Sequence, residues 1–387
     1  MRATSFATRC ASVWLVASAM TGTVPAQGGE PAMLPALKSI STIASTVPGN
    51  GDVNPYGMAQ VRRSTGTLVA GEILVSNFNN STNAQGTGST IVEMAPDGSV
   101  TLFASLSAAS LPGPCPGGVG LTTALVVLES GWVIVGSLPT TDGTSATAQA
   151  GCLIVLDNMG NPVETFYGSL INGPWDMTAA DGAHEAKLFV TNVLNGTVAA
   201  GGAVVNGGTV TRLNLHVSES AMPVLESITV IGSGLAERTD PAALVIGPTG
   251  VALRSDCAAD PECGERGRDH EGSRLYVADT LNNRIVAIDD ALERATSAGT
   301  GHTVSAGGTL NAPLGLIVTA RGELLTVNGG DGIATEITPN GRQVAHAQLD
   351  SSGSPPGAGA LFGLVFDPAH GLYYVDDATN TLNLLHH

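Results

Sequence analysis

Short apolar runs, with no helical stripe among them, organise this chain. One run, closed by a small or polar residue, occurs six times: Ile73-Leu74-Val75-Ser76-Asn77, Val133-Ile134-Val135-Gly136-Ser137, Leu188-Phe189-Val190-Thr191-Asn192, Leu275-Tyr276-Val277-Ala278-Asp279, Leu324-Leu325-Thr326-Val327-Asn328 and Tyr373-Tyr374-Val375-Asp376-Asp377. Runs this short, rich in Val, Ile, Leu and Tyr and bounded by turn residues, predict buried strands. They recur every roughly 50 to 60 residues, with one longer gap before Asp279, and such a period predicts a repeat architecture.

Upstream of most copies lies a second phrase, Pro followed closely by Gly and apolar residues, which predicts the innermost strand of each unit. It stands at Asn54-Pro55-Tyr56-Gly57, Pro116-Gly117-Gly118-Val119, Gly173-Pro174-Trp175, Gly247-Pro248-Thr249-Gly250-Val251 and Pro313-Leu314-Gly315-Leu316, with Leu361-Phe362-Gly363-Leu364 lacking the Pro. Third strands such as 90–94 and 332–337 run into Pro96-Asp97-Gly98 and Pro339-Asn340-Gly341 turns, and fourth strands such as 100–104 follow. Four antiparallel strands per unit, repeated radially, make an all-β fold, a six-bladed β-propeller. The last unit runs out after three strands, while residues 39–44 read as a fourth; pairing the two ends would close the ring and remove an exposed sheet edge. The propeller is expected over residues 39–387.

The stretch Arg274-Leu275-Tyr276-Val277-Ala278-Asp279-Thr280-Leu281-Asn282-Asn283-Arg284-Ile285-Val286-Ala287-Ile288, preceded by Gly247 to Ala252, resembles the consensus of an NHL repeat. The resemblance is strong over one blade and degenerate over the others. It implies architecture alone, because such propellers serve as lactonases, lyases and binding proteins. As an architecture the chain is also similar to the gluconolactonase and senescence-marker family of metal-dependent hydrolases. That family places a metal-binding Glu on the first inner strand; this chain has Asn54-Pro55-Tyr56-Gly57-Met58 there and no Glu.

Composition supports the all-β reading: Gly 50 and Pro 21 are high, and only 13% of residues are charged. A net charge of -17 repels a phosphate backbone, so nucleic acid is an unsuitable partner. Arg2 and Arg9, an apolar run from Cys10 to Met20, and small residues at the −3 and −1 positions of a cleavage site after Ala26 form the pattern of a signal peptide over residues 1–26, followed by a leader at 27–38. Its h-region is too short to span a bilayer, and the strongest later apolar segment, 124–135, is broken by Glu129-Ser130-Gly131. The mature chain is therefore expected to be secreted or periplasmic, without a membrane span. Its four cysteines suit two disulfides, with Cys115–Cys152 and Cys257–Cys263 the favoured pairing.

The turn after each second strand lies on the face where the central channel opens, so Asn77, Ser137, Asn192, Asp279, Asn328 and Asp376 are candidates to ring its mouth. Amide and carboxylate oxygens at Asn77, Asn192, Asp279 and Asn328 suit a hard cation such as Ca²⁺; the same residue types also cap turns without any metal. Trp175 and Asp176, with Tyr56 and Phe362 at matching positions, offer an aromatic surface beside an acid, suited to a ligand and equally to core packing. Long connections after Asn77, Ser137 and Asn192 predict a one-sided wall over the mouth. The acidic insertion carrying Asp256, Asp260, Glu262, Glu265 and Asp269 fits no EF-hand spacing, and no H-E-x-x-H pair, G-x-S-x-G elbow, P-loop or dinucleotide fingerprint is present. Two functions follow: binding of a small molecule, glycan or protein partner at the mouth without catalysis, or lactonase-like hydrolysis or lyase chemistry dependent on a metal such as Ca²⁺.

Overall fold

The computed structural model describes residues 31–254 and 272–387. The segment at 1–26, Cys257, Cys263 and the acidic residues Asp256, Asp260, Glu262, Glu265 and Asp269 lie outside the described residues. The chain forms strand β1 (Ser39–Ser45) and then six consecutive sheets. Blade one holds β2 (Val53–Gln60), β3 (Ile73–Asn79), β4 (Thr90–Met94) and β5 (Val100–Ser105); blade two holds β6 (Leu121–Val127), β7 (Val133–Ser137), β8 (Leu153–Leu156) and β9 (Pro162–Phe166). Blade three holds β10 (Pro174–Asp181), β11 (Glu185–Asn192), β12 (Val205–His216), β13 (Val224–Asp240) and β14 (Leu244–Ile246). Blade four holds β15 (Pro248–Arg254), β16 (Arg274–Asp279), β17 (Arg284–Asp289) and β18 (His302–Ala306); blade five holds β19 (Pro313–Val318), β20 (Leu324–Asn328), β21 (Ile333–Ile337) and β22 (Gln343–Gln348). Blade six comprises β23 (Leu361–Asp367), β24 (Gly371–Asp376) and β25 (Thr381–His386), with β1 as its outer strand.

The ring is closed as expected. Strand β1 pairs antiparallel with β25 from Ser39 opposite His386 to Ser45 opposite Thr381. Part of the leader is built into the fold as well: Leu34 and Leu37 are buried beside blades five and six, and the backbone N–H groups of Met33 and Leu34 donate to the Glu336 carboxylate at 2.9 and 2.8 Å.

Second strands are buried along nearly their whole length, only the first residues of β11 and β16 reaching solvent, because neighbouring blades cover both faces, so they carry largely apolar runs. Fourth strands lie at the rim and alternate or turn polar, as in β5 and β22. Inner strands crowd one another at the axis. A Cβ on Gly250 would sit 2.1 Å from Leu314 O, one on Gly315 2.0 Å from Phe362 O, and one on Gly363 2.4 Å from Tyr56 O. Only glycine lets adjacent inner strands approach so closely.

Blade two departs from the expected inner strand. Pro116 to Val119 lies in the connection before the strand, which starts at Leu121; Cys115, bonded to Cys152, fixes that connection. The disulfide closes a sequence separation of 37 residues, and its Cys152 is fully buried. Replacing both cysteines with Ser is expected to lower stability by about 4 kcal/mol, checked by urea unfolding with and without reductant; a variant matching the oxidised parent would contradict it. No helix long and apolar enough to cross a membrane occurs among the described residues.

Candidate ligand site at the channel mouth

Every inner strand begins with a register shift opposite the end of its second strand, between Pro55 and Met58, Leu121 and Leu125, Pro174 and Met177, Pro248 and Val251, Pro313 and Leu316, and Leu361 and Leu364. These shifts bring equivalent residues into rings. Asn77, Ser137, Asn192, Asp279, Asn328 and Asp376 lie opposite Pro55, Leu121, Pro174, Pro248, Pro313 and Leu361 of the inner strands. The next inner position is Tyr56, Thr122, Trp175, Thr249, Leu314 or Phe362. The one after is Gly57, Thr123, Asp176, Gly250, Gly315 or Gly363.

Four blades thus have glycine where Asp176 and Thr123 carry side chains. The Asp176 carboxylate is nearly sealed from solvent and accepts the Val251 N–H from blade four at 3.0 Å. Burial pushes its pKa up to about 7 against the pull of the Val251 and Met177 N–H groups. On adjoining blade two, the Thr122 and Thr123 hydroxyls are buried without a hydrogen-bond partner. Hydroxyls of the second strands brace this geometry. Ser76 Oγ accepts from Gly57 N and donates to Thr122 O, while Thr191 Oγ1 accepts from Asp176 N and donates to Thr249 O.

Above this polar layer, Tyr56 stacks between Phe362 and Phe78, with ring centroids 3.9 and 4.5 Å apart, and Trp175 tilts toward it at 6.3 Å. Burial, and then the nearby charge of Asp377, push the Tyr56 hydroxyl far above the usual phenol range. Asp377 itself is raised to about 7 by burial and by the charge of Asp376.

Blade three closes the mouth. Its ribbon β12–β13 runs past the end of β11, and the tip between β13 and β14 places Ala243, Leu244 and Val245 against Tyr56, Phe78, Leu138 and Trp175. Between them remains a void of about 10 Å³ for a water-sized sphere, near the lower limit for one water molecule. The tip is tied across to blade one, where Gln85 Nε2 donates to Pro241 O and Ala242 O at 3.3 and 3.4 Å. Leu244 holds φ at +60°, the strained left-handed region for a branched side chain. At the base of the ribbon, Glu237 is fully buried, its Oε1 accepting Asn195 N at 2.9 Å and its Oε2 without a partner; burial raises it to about 7.

The candidate cation ligands remain engaged in their own blades. Asn77 Nδ2 donates to Thr46 O and Thr90 Oγ1, Asn192 Nδ2 to Val190 O and Thr211 Oγ1, and Asn328 Nδ2 to Thr309 O and Asp331 Oδ1. The Oδ1 atoms of all three are buried without a partner, which suits carbonyl ligands. Asp279, the carboxylate of the set, is ion-paired to Arg284 at 2.6 Å and accepts from Asn282 with both oxygens. Arg284 already balances the charge of Asp279, so the neutral amide oxygens are the free acceptors of the set. Among the described residues no group of three His, Cys, Asp or Glu side chains gathers as a metal site.

No family profile matches the chain, and no curated protein matches it. Solved structures do. A gluconolactonase from Xanthomonas campestris superposes with a TM-score of 0.53 at 13% identity, over 91% of each chain. Regucalcin, a calcium-binding protein from Agrobacterium tumefaciens, gives 0.50 at 14% identity, over 89% of this chain and 93% of its own. A luciferin-regenerating enzyme gives 0.50 at 10% identity, over 89% and 94%. The likeness is one of fold. At these identities the six-bladed ring is what the proteins share, and the activities of the relatives belong to the relatives.

Proposed function

We propose that this protein is an exported binding propeller that takes a small organic ligand at the channel mouth, in space released when the β13–β14 tip lifts from Tyr56 and Trp175. The observation that carries the reading is the asymmetry of blade three. It supplies a buried carboxylate, Asp176, where four blades have glycine, and a fifth strand whose tip lies against the neighbouring Trp175 and Tyr56. Aromatic rings above an acid suit a ligand with an apolar face and an amine or hydroxyl directed downward. The N-terminal pattern and the Cys115–Cys152 disulfide support an oxidising compartment.

The test uses the mature chain with Trp132→Phe, leaving Trp175 as the reporting indole. Titration with tryptamine, methyl pyranosides and δ-gluconolactone is expected to give a saturable fluorescence change with at least one probe, lost in Asp176→Ala. Leu244→Ala removes a buried leucine from the tip, easing its opening by about 2 kcal/mol, or roughly thirtyfold in open population. Acrylamide quenching of Trp175 is expected to rise accordingly. Silence toward every probe in both the parent and Leu244→Ala would overturn the reading.

The unpartnered Oδ1 atoms of Asn77, Asn192 and Asn328 favour a second reading, a Ca²⁺-assisted hydrolase or lyase acting on a lactone-type carbonyl. On the first reading, EDTA or added Ca²⁺ is expected to move the melting midpoint by less than about 1 °C, because no binding term is gained. Metal-dependent lactone turnover lost in Asn192→Ala would replace the first reading with the second.

A further inference from the structure

The tip that closes the mouth belongs to blade three, yet the groups that hold it down come from blades one and two. Gln85, between β3 and β4, donates through Nε2 to Pro241 O and Ala242 O. Leu138 and Ala148, from the connection between β7 and β8, pack with Leu244 and Val245 in one buried cluster. A short 3₁₀ turn of the same connection, Ser145–Thr147, lies against β13.

The two connections are tied to each other at Thr140. Its Oγ1 donates to Gln85 O at 2.6 Å and accepts Gly143 N at 2.9 Å, and its N–H donates to Gly86 O at 3.0 Å. A Cβ on Gly143 would stand 2.9 Å from Ala84 Cβ, so the two backbones meet without room for a side chain. The blade-two connection is anchored in turn by its disulfide. Cys152 ends it, and Cys115 opens the segment beside it, where Gly117 N donates to Ala150 O at 2.8 Å and Ser137 Oγ donates to Gly118 O at 2.8 Å. Apart from the 3₁₀ turn the connection is irregular, so its order depends on these ties.

One line of contacts therefore runs from the disulfide through Thr140 and Gln85 to the tip. We infer that the Cys115–Cys152 disulfide is a redox latch on the mouth: closed, it keeps Thr140 and Gln85 in place to hold the β13–β14 tip down, and its reduction frees the tip to lift. The inference rests on the reading that the tip lifts to admit a ligand. A dithiol is the reductant. Its thiolate attacks Sγ of Cys115, which is half-buried, and the S–S bond breaks toward the fully buried Cys152. The second thiol of the reductant resolves the mixed disulfide. The reductant leaves as a cyclic disulfide, having passed two electrons and two protons to the cysteine pair. Apparent affinity is the intrinsic affinity multiplied by the open fraction, so the reduced protein gains affinity for a mouth ligand by the same factor as it gains open population.

Hydrogen exchange of the amides at 238–246, followed by mass spectrometry on the full chain in increasing sub-denaturing urea, tests the latch. Local opening exposes little surface and is nearly independent of urea, which separates it from global unfolding. With the disulfide intact, Gln85→Ala is expected to speed exchange of the tip about tenfold, equivalent to about 1.4 kcal/mol, and Thr140→Val several-fold. Dithiothreitol is expected to speed it at least as much in the parent and to add little in Gln85→Ala, where the latch is already undone. Leu244→Ala, which acts on the tip itself, is expected to speed it with or without reductant. A tip that responds to Leu244→Ala but to neither dithiothreitol nor Gln85→Ala would refute the latch and leave the mouth standing. A tip that responds to none of them does not lift, and both readings fall. Acceleration by dithiothreitol along the urea-dependent route alone would mean that the disulfide holds the whole fold rather than the tip, which also refutes the latch.

Discussion

Deletion of residues 32–45 is expected to abolish the cooperative melt and send the protein into soluble aggregates. The segment supplies β1, the outer strand of blade six, together with Leu34 and Leu37. Burial of those two leucines contributes about 1.5 to 3 kcal/mol each. Glu336, almost fully buried, would also lose the Met33 and Leu34 N–H groups that satisfy its carboxylate, at about 1 to 3 kcal/mol. The total is comparable with the whole stability of an ordinary domain, about 5 to 15 kcal/mol. The deletion also leaves β25, with Leu382, Leu384 and Leu385, as an unpaired apolar edge. Circular dichroism melts with size-exclusion chromatography check this. A deleted chain that elutes as the parent does and melts cooperatively within about 5 °C of it would show that closure by β1 is dispensable.

The same physics explains why the ring was legible in the sequence. Second strands are covered on both faces, so their runs are apolar apart from small hydroxyls such as Ser76, Thr191 and Thr326 that bond to neighbouring backbone, and the turns that end third strands need a residue with positive φ. Gly98 at +90° and Gly341 at +86° meet that need in Pro-Asp-Gly and Pro-Asn-Gly. Blade two's inner strand was misplaced because its entry, Leu121-Thr122-Thr123-Ala124, lacks the Pro and Gly that mark the others, while Pro116-Gly117-Gly118 imitates them in a disulfide-bound connection. Correct alignment brings Thr122 and Thr123 into the site, residues the motif alone passes over.

The closed mouth was less legible. Strand β14 has three residues, too short for any periodicity, and it sits directly before the expected inner strand at Pro248. The Asn and Asp ring was legible as positions and not as chemistry. Sequence places six polar residues opposite the inner strands; the partners of Asp279 come from Arg284 and Asn282, in the turn and strand that follow it. Tyr56, Trp175 and Phe362 do share one inner position, and their stacking explains how one set of residues closes the core and builds the mouth.

Asp176→Asn is expected to raise stability by about 4 kcal/mol at pH 8 and to leave it almost unchanged at pH 4. The folded carboxyl titrates at about 7, against roughly 3.9 in an unfolded chain, and each unit of difference corresponds to about 1.4 kcal/mol. The sign follows from which state ionises first. Below pH 4 both states hold the proton and no penalty exists. As pH rises from about 4 to 7 the unfolded chain ionises while the folded carboxyl stays neutral, so stability falls; above 7 the full penalty persists. Asparagine keeps the shape and an acceptor for the Val251 N–H without a charge to bury. Glu237 and Asp377, also raised to about 7, contribute to the slope of both proteins, so the difference between the parent and the variant isolates Asp176. Urea unfolding at pH 4, 5.5, 7 and 8 measures it, and an equal gain at every pH would show that the carboxyl titrates normally. A destabilising acid at the axis is what a site under selection for binding retains, and the Trp175 signal of the stabilised variant then reads the other side of that exchange: the proposed ligand should no longer bind.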